Sequence, residues 1–307
     1  MLNKEFTSVT VIIPHKNDSK VISRAIDSIC QQSFKPQQIL VIDDWSDEDQ
    51  KNLLNNIILK YKETLPIAWV PSSGRGLSAA RNTGILLAEN ELVAFLDCDD
   101  EWRFDKLALQ VSGFDIKYSA IHSWCIDVYP DKRELLLKPN SNYSQEKLVK
   151  GIYSVTGSSS SIILTRKLAL KVGGFNEKLE AGEDVDMWVR ISACGELKCI
   201  DEPLVRVHRR DTGAQQNLRF NPDIKITAHK EMLLSWIEKG IIDKKFARNV
   251  LAIRLFSITS EFSRNSGKYS ALKFLSKYII YFSKIYSKKF FFIACVQFFL
   301  RYLIRLK

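Results

Sequence analysis

Residues 92–102 read Leu-Val-Ala-Phe-Leu-Asp-Cys-Asp-Asp-Glu-Trp, an apolar run that breaks directly into three carboxylates within four positions. The run predicts a buried strand, and a strand that ends in Asp97, Asp99 and Asp100 delivers negative charge to the edge of a sheet. In an open α/β sheet, ligands bind in the crevice beyond the carboxyl ends of the strands. Ionised carboxylates this close together are costly unless a cation or strong donors compensate them. The simplest partner is a hard divalent ion, Mn²⁺ or Mg²⁺, which prefers oxygen ligands and usually brings substrate phosphates with it.

The preceding residues supply the rest of such a sheet. Val9–Pro14 is a β-branched run closed by proline, and Val21, Ile22, Ala25, Ile26 and Ile29 after it fall at helical spacing, with Asp18 or Ser19 placed to cap. Ile39–Ile42 predicts a second buried strand, which also ends in acid, Asp43 and Asp44. A helix carrying Leu53, Leu54, Ile57, Ile58 and Tyr61 follows, then a short strand at Ile67–Val70. Alternating strands and helices argue for a parallel sheet with right-handed crossovers. The next stretch, 71–82, is a glycine loop (Gly74-Arg75-Gly76) running into a helix that Ser78 would cap. Backbone N–H groups in such a loop approach anions, and Arg75 or Arg81 adds charge.

Past Trp102, Lys106–Val111 reads as a short helix and Tyr118–Tyr129 as a strand, while 130–156 is polar and weakly patterned. A strand entered through Ser158–Ser161 leads to a helix over Thr165–Val172 that stops at Gly173-Gly174. Glu183 and Asp184 then open a helix whose apolar side is Val185, Trp188, Val189 and Ile191; Asp186 and Trp188 are expected to serve structure. Two short strands, Lys198–Ile200 and Val205–His208, close the body. Taken singly, Asp43 and Asp44 also suit strand-to-loop capping, and Asp184 suits a helix start, where acid is favoured by the macrodipole.

The formal charge of +10 is unevenly placed. Residues 225–307 hold 17 Lys and Arg against 4 Asp and Glu, so the remainder of the chain is slightly acidic. Nucleic-acid binding is not expected, because the basic residues lie apart from the acidic cleft and carry no base-reading motif. The division expected is a catalytic body over 1–220 and a basic, helical region over 221–307. Within the latter, 278–307 interleaves many aromatics with Lys and Arg, which suits an anionic membrane surface. No stretch is long and apolar enough to span a bilayer. The six cysteines show no metal-ligand spacing, and the first residues contain no apolar export signal. The expected location is cytoplasmic, peripheral at the inner face of the plasma membrane.

Five blocks in this order resemble family-2 glycosyltransferases with the GT-A nucleotide-sugar-binding fold. They are Val-Ile-Ile-Pro14 with Asn17, Val-Ile-Asp43-Asp44-Trp-Ser, Gly76-Leu-Ser-Ala-Ala-Arg81-Asn82, Phe-Leu-Asp97-Cys-Asp99-Asp100-Glu-Trp, and Gly173-Gly-Phe-Asn with Gly-Glu183-Asp184-Val-Asp-Met-Trp188. The resemblance implies a Rossmann-like, mostly parallel α/β sheet with flanking helices. It places Pro14, Asn17, Asp43 or Asp44 and Asp97 around the nucleoside and Arg81 near the diphosphate. Asp99 matches the metal-binding member of the Asp-x-Asp motif, His208 falls near the metal or acceptor, and Asp184 matches the catalytic base. The family often has a small residue where His15 stands, Gly at Trp45 and Ser at Cys98. The implied activity is metal-dependent, inverting transfer of a sugar from a nucleotide-sugar donor, a UDP-sugar, to a saccharide or lipid-linked saccharide in bacterial surface polysaccharide synthesis. A sugar-phosphate nucleotidyltransferase and a non-catalytic binding protein of the same fold stay open as alternatives.

Overall fold

The computed structural model describes residues 6–139, 158–210 and 221–286. Their contacts divide the chain into two compact units, the second including 179–182 and 221–286.

In the first unit, the strands β1 (Val9–His15), β2 (Gln38–Asp43), β3 (Ile67–Pro71) and β4 (Leu92–Phe95) form a parallel half-sheet in the order β3-β2-β1-β4. These are the runs that lack polar alternation, and β1, β2 and β4 are almost wholly buried, as strands covered on both faces must be. The helices α1 (Ile22–Cys30), α2 (Glu48–Tyr61) and α3 (Leu77–Leu87) form the crossovers. Gly84 lets α3 lie close on β1, since a Cβ there would stand 2.4 Å from Ile12. The sheet continues through β8 (Ile163–Thr165), β6 (Tyr118–Val128), β9 (Glu196–His208) and β5 (Glu101–Trp102), with β7 (Glu134–Leu137) paired to β6. Most registered pairs in the whole sheet are parallel; β8, β5 and β7 join antiparallel. The fold is thus the mixed α/β, mostly parallel sheet with flanking helices that the sequence implies.

Several local readings differ. β9 is one strand rather than two, because the Asp201-Glu202-Pro203 segment is absorbed by register irregularities opposite Trp124. β7 lies in the stretch that reads as unpatterned, and its residues are largely exposed. Neither Asp18 nor Ser19 caps α1, since the Ser19 hydroxyl is spent on the Gln50 carbonyl and His15. Ser78 lies inside α3, which starts from Gly76 at φ +95°.

The helix α4 (Lys106–Ser112) follows the acidic block. Its Lys106 is fully buried, with Nζ 2.6 Å from Gln110 Oε1 and 4.0 Å from the centre of the Trp102 ring. Burial pushes this amine down to about 7. The helices α5 (Arg166–Lys171) and α6 (Glu183–Ser192) complete the unit. α6 seats Trp188 against Phe95 of β4 and Phe175, with ring centres 6.4 and 5.7 Å away. This aromatic cluster fixes the start of α6 relative to the end of β4.

The second unit is helical: α7 (Pro222–Glu238), α8 (Lys244–Ser266) and α9 (Lys268–Tyr286). Asn221 and Asp243 cap α7 and α8, proline follows directly at the start of α7, and Gly267 at φ +82° turns α8 into α9. Met232, Trp236, Leu251, Leu255 and Phe274 are buried in it. No helix among the described residues is long and apolar enough to cross a membrane. The apolar stretch 290–300 lies outside the described residues.

Candidate active site

The block after β4 divides into one inward and two outward carboxylates. Asp100 is buried and accepts hydrogen bonds from the hydroxyls of Ser158 (3.0 Å) and Ser160 (2.6 Å) and from the backbone N–H of His208 (3.2 Å). Burial, with Asp97 and Asp99 close by, raises its carboxyl well above the usual range. It therefore acts as a strut holding the block to the serine turn and the end of β9.

Asp97 points the other way. Its Oδ1 accepts from Nη2 of Arg81 at 2.8 Å, and Nη1 of the same guanidinium lies 3.2 Å from Glu183 Oε1. Burial opposes the charge on Arg81, but Asp97 and Glu183 outweigh it and hold the side chain protonated. Phe175 supports the guanidinium from 5.2 Å. Asn82, next to Arg81, bonds the Phe175 backbone N–H at 2.7 Å and carbonyl at 2.9 Å, which ties α3 to the segment preceding α6. Gly174 makes room for it, because a Cβ there would meet Asn82 Oδ1 at 2.4 Å. Asp184 follows Glu183 and accepts from the Val185 N–H at 2.7 Å. Burial first, then Glu183, push its carboxyl up to about 6 despite the opposing pull of Arg81.

Asp99 forms a second group. Its carboxylate lies 2.9 Å from Nη2 of Arg210, whose Nη1 donates to Asp18 at 2.6 Å. Its backbone carbonyl accepts from Arg24 of α1. Burial and the neighbouring Asp97 raise the Asp99 carboxyl above its ordinary value. His208 meets the acidic block through Glu101, with Nε2 3.3 Å from Oε1; burial, then Arg24, lower its affinity for a proton.

The residues at the end of β2 lie at the same sheet edge, since β2, β1 and β4 run parallel, but they are engaged within the protein. Asp43 accepts from the Ser46 N–H and pairs with His15 Nδ1 at 3.1 Å, while His15 Nε2 meets Ser19 at 3.0 Å. Burial lowers the imidazole's proton affinity. Asp44 accepts from the Gly76 N–H (2.7 Å) and from Lys16 (3.0 Å). Asn17, at φ +54°, exchanges hydrogen bonds with Asp47 and donates its N–H to Ser46. Pro14 is buried in β1 opposite Ile42. Trp45 holds a left-handed φ of +56° where glycine would be relaxed, pinned by its indole N–H to the Gly74 carbonyl at 3.0 Å.

Asp97, Arg81 and Asp184 therefore meet, Asp99 adjoins them through Asp97, and a separate set lies along the edge, with Pro14 and Asn17 at the end of the neighbouring β1 and Asp43 and Asp44 at the end of β2, one strand further. The sequence marks Asp18 only as a candidate helix cap and does not mark Arg210. Their partnership spans 192 positions, and no local pattern marks it.

The mixed α/β, mostly parallel sheet with flanking helices is the fold of GT-A glycosyltransferases. The chain belongs to glycosyl transferase family 2, whose model matches residues 10–173. It is 29% identical over 216 residues to the amylovoran biosynthesis glycosyltransferase AmsB of Erwinia amylovora, covering 66% of this chain and 69% of that one. It spans only 33% of the length of other curated relatives that it matches. The fold is shared with Staphylococcus aureus TarS 1–349 in complex with UDP-GlcNAc, at TM-score 0.65 and 19% identity over 85% of this chain and 74% of that one. It is also shared with the mannosyltransferase PcManGT of Pyrobaculum calidifontis in complex with GDP-Man and Mn²⁺, at TM-score 0.57 and 17% identity over 96% and 88%.

Proposed function

We propose that this chain transfers a sugar from a UDP-sugar to a saccharide or lipid-linked saccharide hydroxyl, in one metal-dependent, inverting step of bacterial surface polysaccharide synthesis. The observation that carries the reading is the meeting of Asp97, Arg81, Glu183 and Asp184 where β4 ends and α6 begins. Support for the nucleotide comes from the UDP complex of TarS, and for the polymer from the relative named for amylovoran biosynthesis.

The acceptor oxygen attacks the anomeric carbon as the bond to the donor diphosphate breaks, and Asp184 receives the acceptor's proton. A carboxyl titrating near 6 is ionised at neutral pH yet basic enough for this. Pro14, Asn17, and Asp43 or Asp44 border the nucleoside, and Arg81 stands beside the diphosphate.

Among the described residues, no group of three His, Cys, Asp or Glu forms a protein cage for a metal. The donor chemistry nevertheless fits Mn²⁺ or Mg²⁺ held by one or two carboxylates together with substrate phosphates. Asp99 would be the principal ligand, with Asp97 beside it and His208, which meets Glu101, near the same block. When bound, the ion neutralises charge on the departing diphosphate. Replacing Asp99 with alanine should abolish Mn²⁺-dependent UDP binding in calorimetry; an unchanged titration removes Asp99 from this role.

Residues 1–220 form the catalytic part in this reading, and 221–307 hold the enzyme at the cytoplasmic face of the plasma membrane. Tyr269 and Leu272 of α9 are 84% and 57% exposed beside the exposed Lys268 and Lys273, in a region of strong positive charge. Apolar side chains flanked by lysine suit an anionic bilayer surface. The chain should co-sediment with phosphatidylglycerol vesicles, and Tyr269→Ser with Leu272→Ser should reduce this severalfold. Equal recovery of the double variant would overturn the assignment of this face.

A further inference from the structure

We propose that Arg210 is an exchangeable counter-ion of Asp99, which it releases when a metal-bearing diphosphate enters; this rests on the reading of Asp99 as a metal ligand. Asp18 follows β1 and Asp99 follows β4, two strands that are direct neighbours, so both carboxylates stand at the same point of the sheet edge. The guanidinium at the end of β9 bridges them, 2.6 Å from Asp18 and 2.9 Å from Asp99. A cation therefore already lies at Asp99, and it belongs to the protein.

The two arginines of the site differ in a way that assigns them different tasks. Arg81 is 3% exposed at its side chain and locked between Asp97 and Glu183. Breaking a pair so buried is costly, so it stays. Arg210 is 36% exposed and Asp99 28%. A pair this open to solvent is held weakly and is easily displaced. Arg24 keeps the Asp99 backbone in place through its carbonyl, so release of the carboxylate does not release the segment. Asp18 remains as the guanidinium's anchor, and its other carboxylate oxygen is steadied by the Cys98 thiol at 3.8 Å. The planar fork suits phosphate as well as carboxylate. Once Asp99 is taken, Nη1 keeps Asp18 and Nη2 turns to a diphosphate oxygen. Arg210 thus contacts the donor directly, lowering affinity for a bare divalent ion and raising it for the ion and nucleotide together.

The test is Mn²⁺ binding by the full chain, read from the electron paramagnetic resonance signal of free Mn²⁺, without and with UDP. Without nucleotide, Arg210→Gln should bind Mn²⁺ roughly two- to fivefold more tightly than the natural protein, the scale of one partly exposed ion pair. Arg210→Lys, which keeps charge but not the fork, should fall between them. With Mn²⁺ saturating, Arg210→Gln should bind UDP more weakly by a similar factor. Equal or weaker Mn²⁺ binding by Arg210→Gln, while the natural protein binds Mn²⁺ with UDP, overturns the exchange alone. Failure of the natural protein to bind Mn²⁺ even with UDP overturns the metal assignment and the exchange with it.

Discussion

Asp184→Asn is expected to lower turnover by roughly 10²–10⁴-fold, the usual contribution of a positioned general base, while leaving donor binding nearly unchanged. Asparagine is isosteric, and its carbonyl oxygen still accepts from the Val185 N–H that now meets Oδ1 at 2.7 Å. The start of α6 should therefore keep its shape, and the loss should fall on kcat and kcat/KM alike. Burial and Glu183 push this carboxyl up to about 6, so the free enzyme carries a protonated, inactive Asp184 below that pH. The kcat/KM profile should rise with pH through about 6 and level off above it. In Asp184→Asn the residual rate should lose that limb. A variant with ordinary turnover, or one that keeps the rise near pH 6, would exclude Asp184 as the base.

The sequence discloses the parallel half of the sheet because β1, β2 and β4 are buried on both faces, which forces uninterrupted apolar runs ending abruptly in polar residues. It discloses the carboxylates at those ends for the same reason. β7 escapes notice because its side chains are largely exposed and carry no burial pattern. β9 reads as two strands because Asp201-Glu202-Pro203 has the composition of a turn, although the strand passes through it with an irregular register. Which carboxylate faces outward is also hidden. Along the chain Asp97, Asp99 and Asp100 form one acidic run, and the serines at 158 and 160 and the His208 backbone mark Asp100 as internal. The departures at His15 and Trp45 become intelligible only in three dimensions. His15 is an interior partner of Asp43, and Trp45 is held in a backbone state natural to glycine by its bond to Gly74.

Asp186→Ala should cost about 3–5 kcal/mol of stability, as when one partner of a buried ion pair is removed. For a unit of this size that is a fall in Tm of roughly 10 °C. Asp186 is fully buried on α6, and its Oδ2 lies 2.9 Å from Nε and 2.6 Å from Nη2 of Arg190, one turn along the helix. The same guanidinium donates to the carbonyls of Val172 and Gly174, each at 2.7 Å, and so ties α6 to the turn that ends α5. Without Asp186 the guanidinium stays buried with its charge uncompensated. Because α6 also presents Glu183 and Asp184, the damage should reach the site as a weaker hold on Arg81, and activity should fall together with the midpoint of unfolding. The pairwise origin is checked by Asp186→Leu combined with Arg190→Met, which removes both charges and should recover most of the loss. If the double variant melts no higher than Asp186→Ala, the cost lies in packing around position 186 rather than in an abandoned charge.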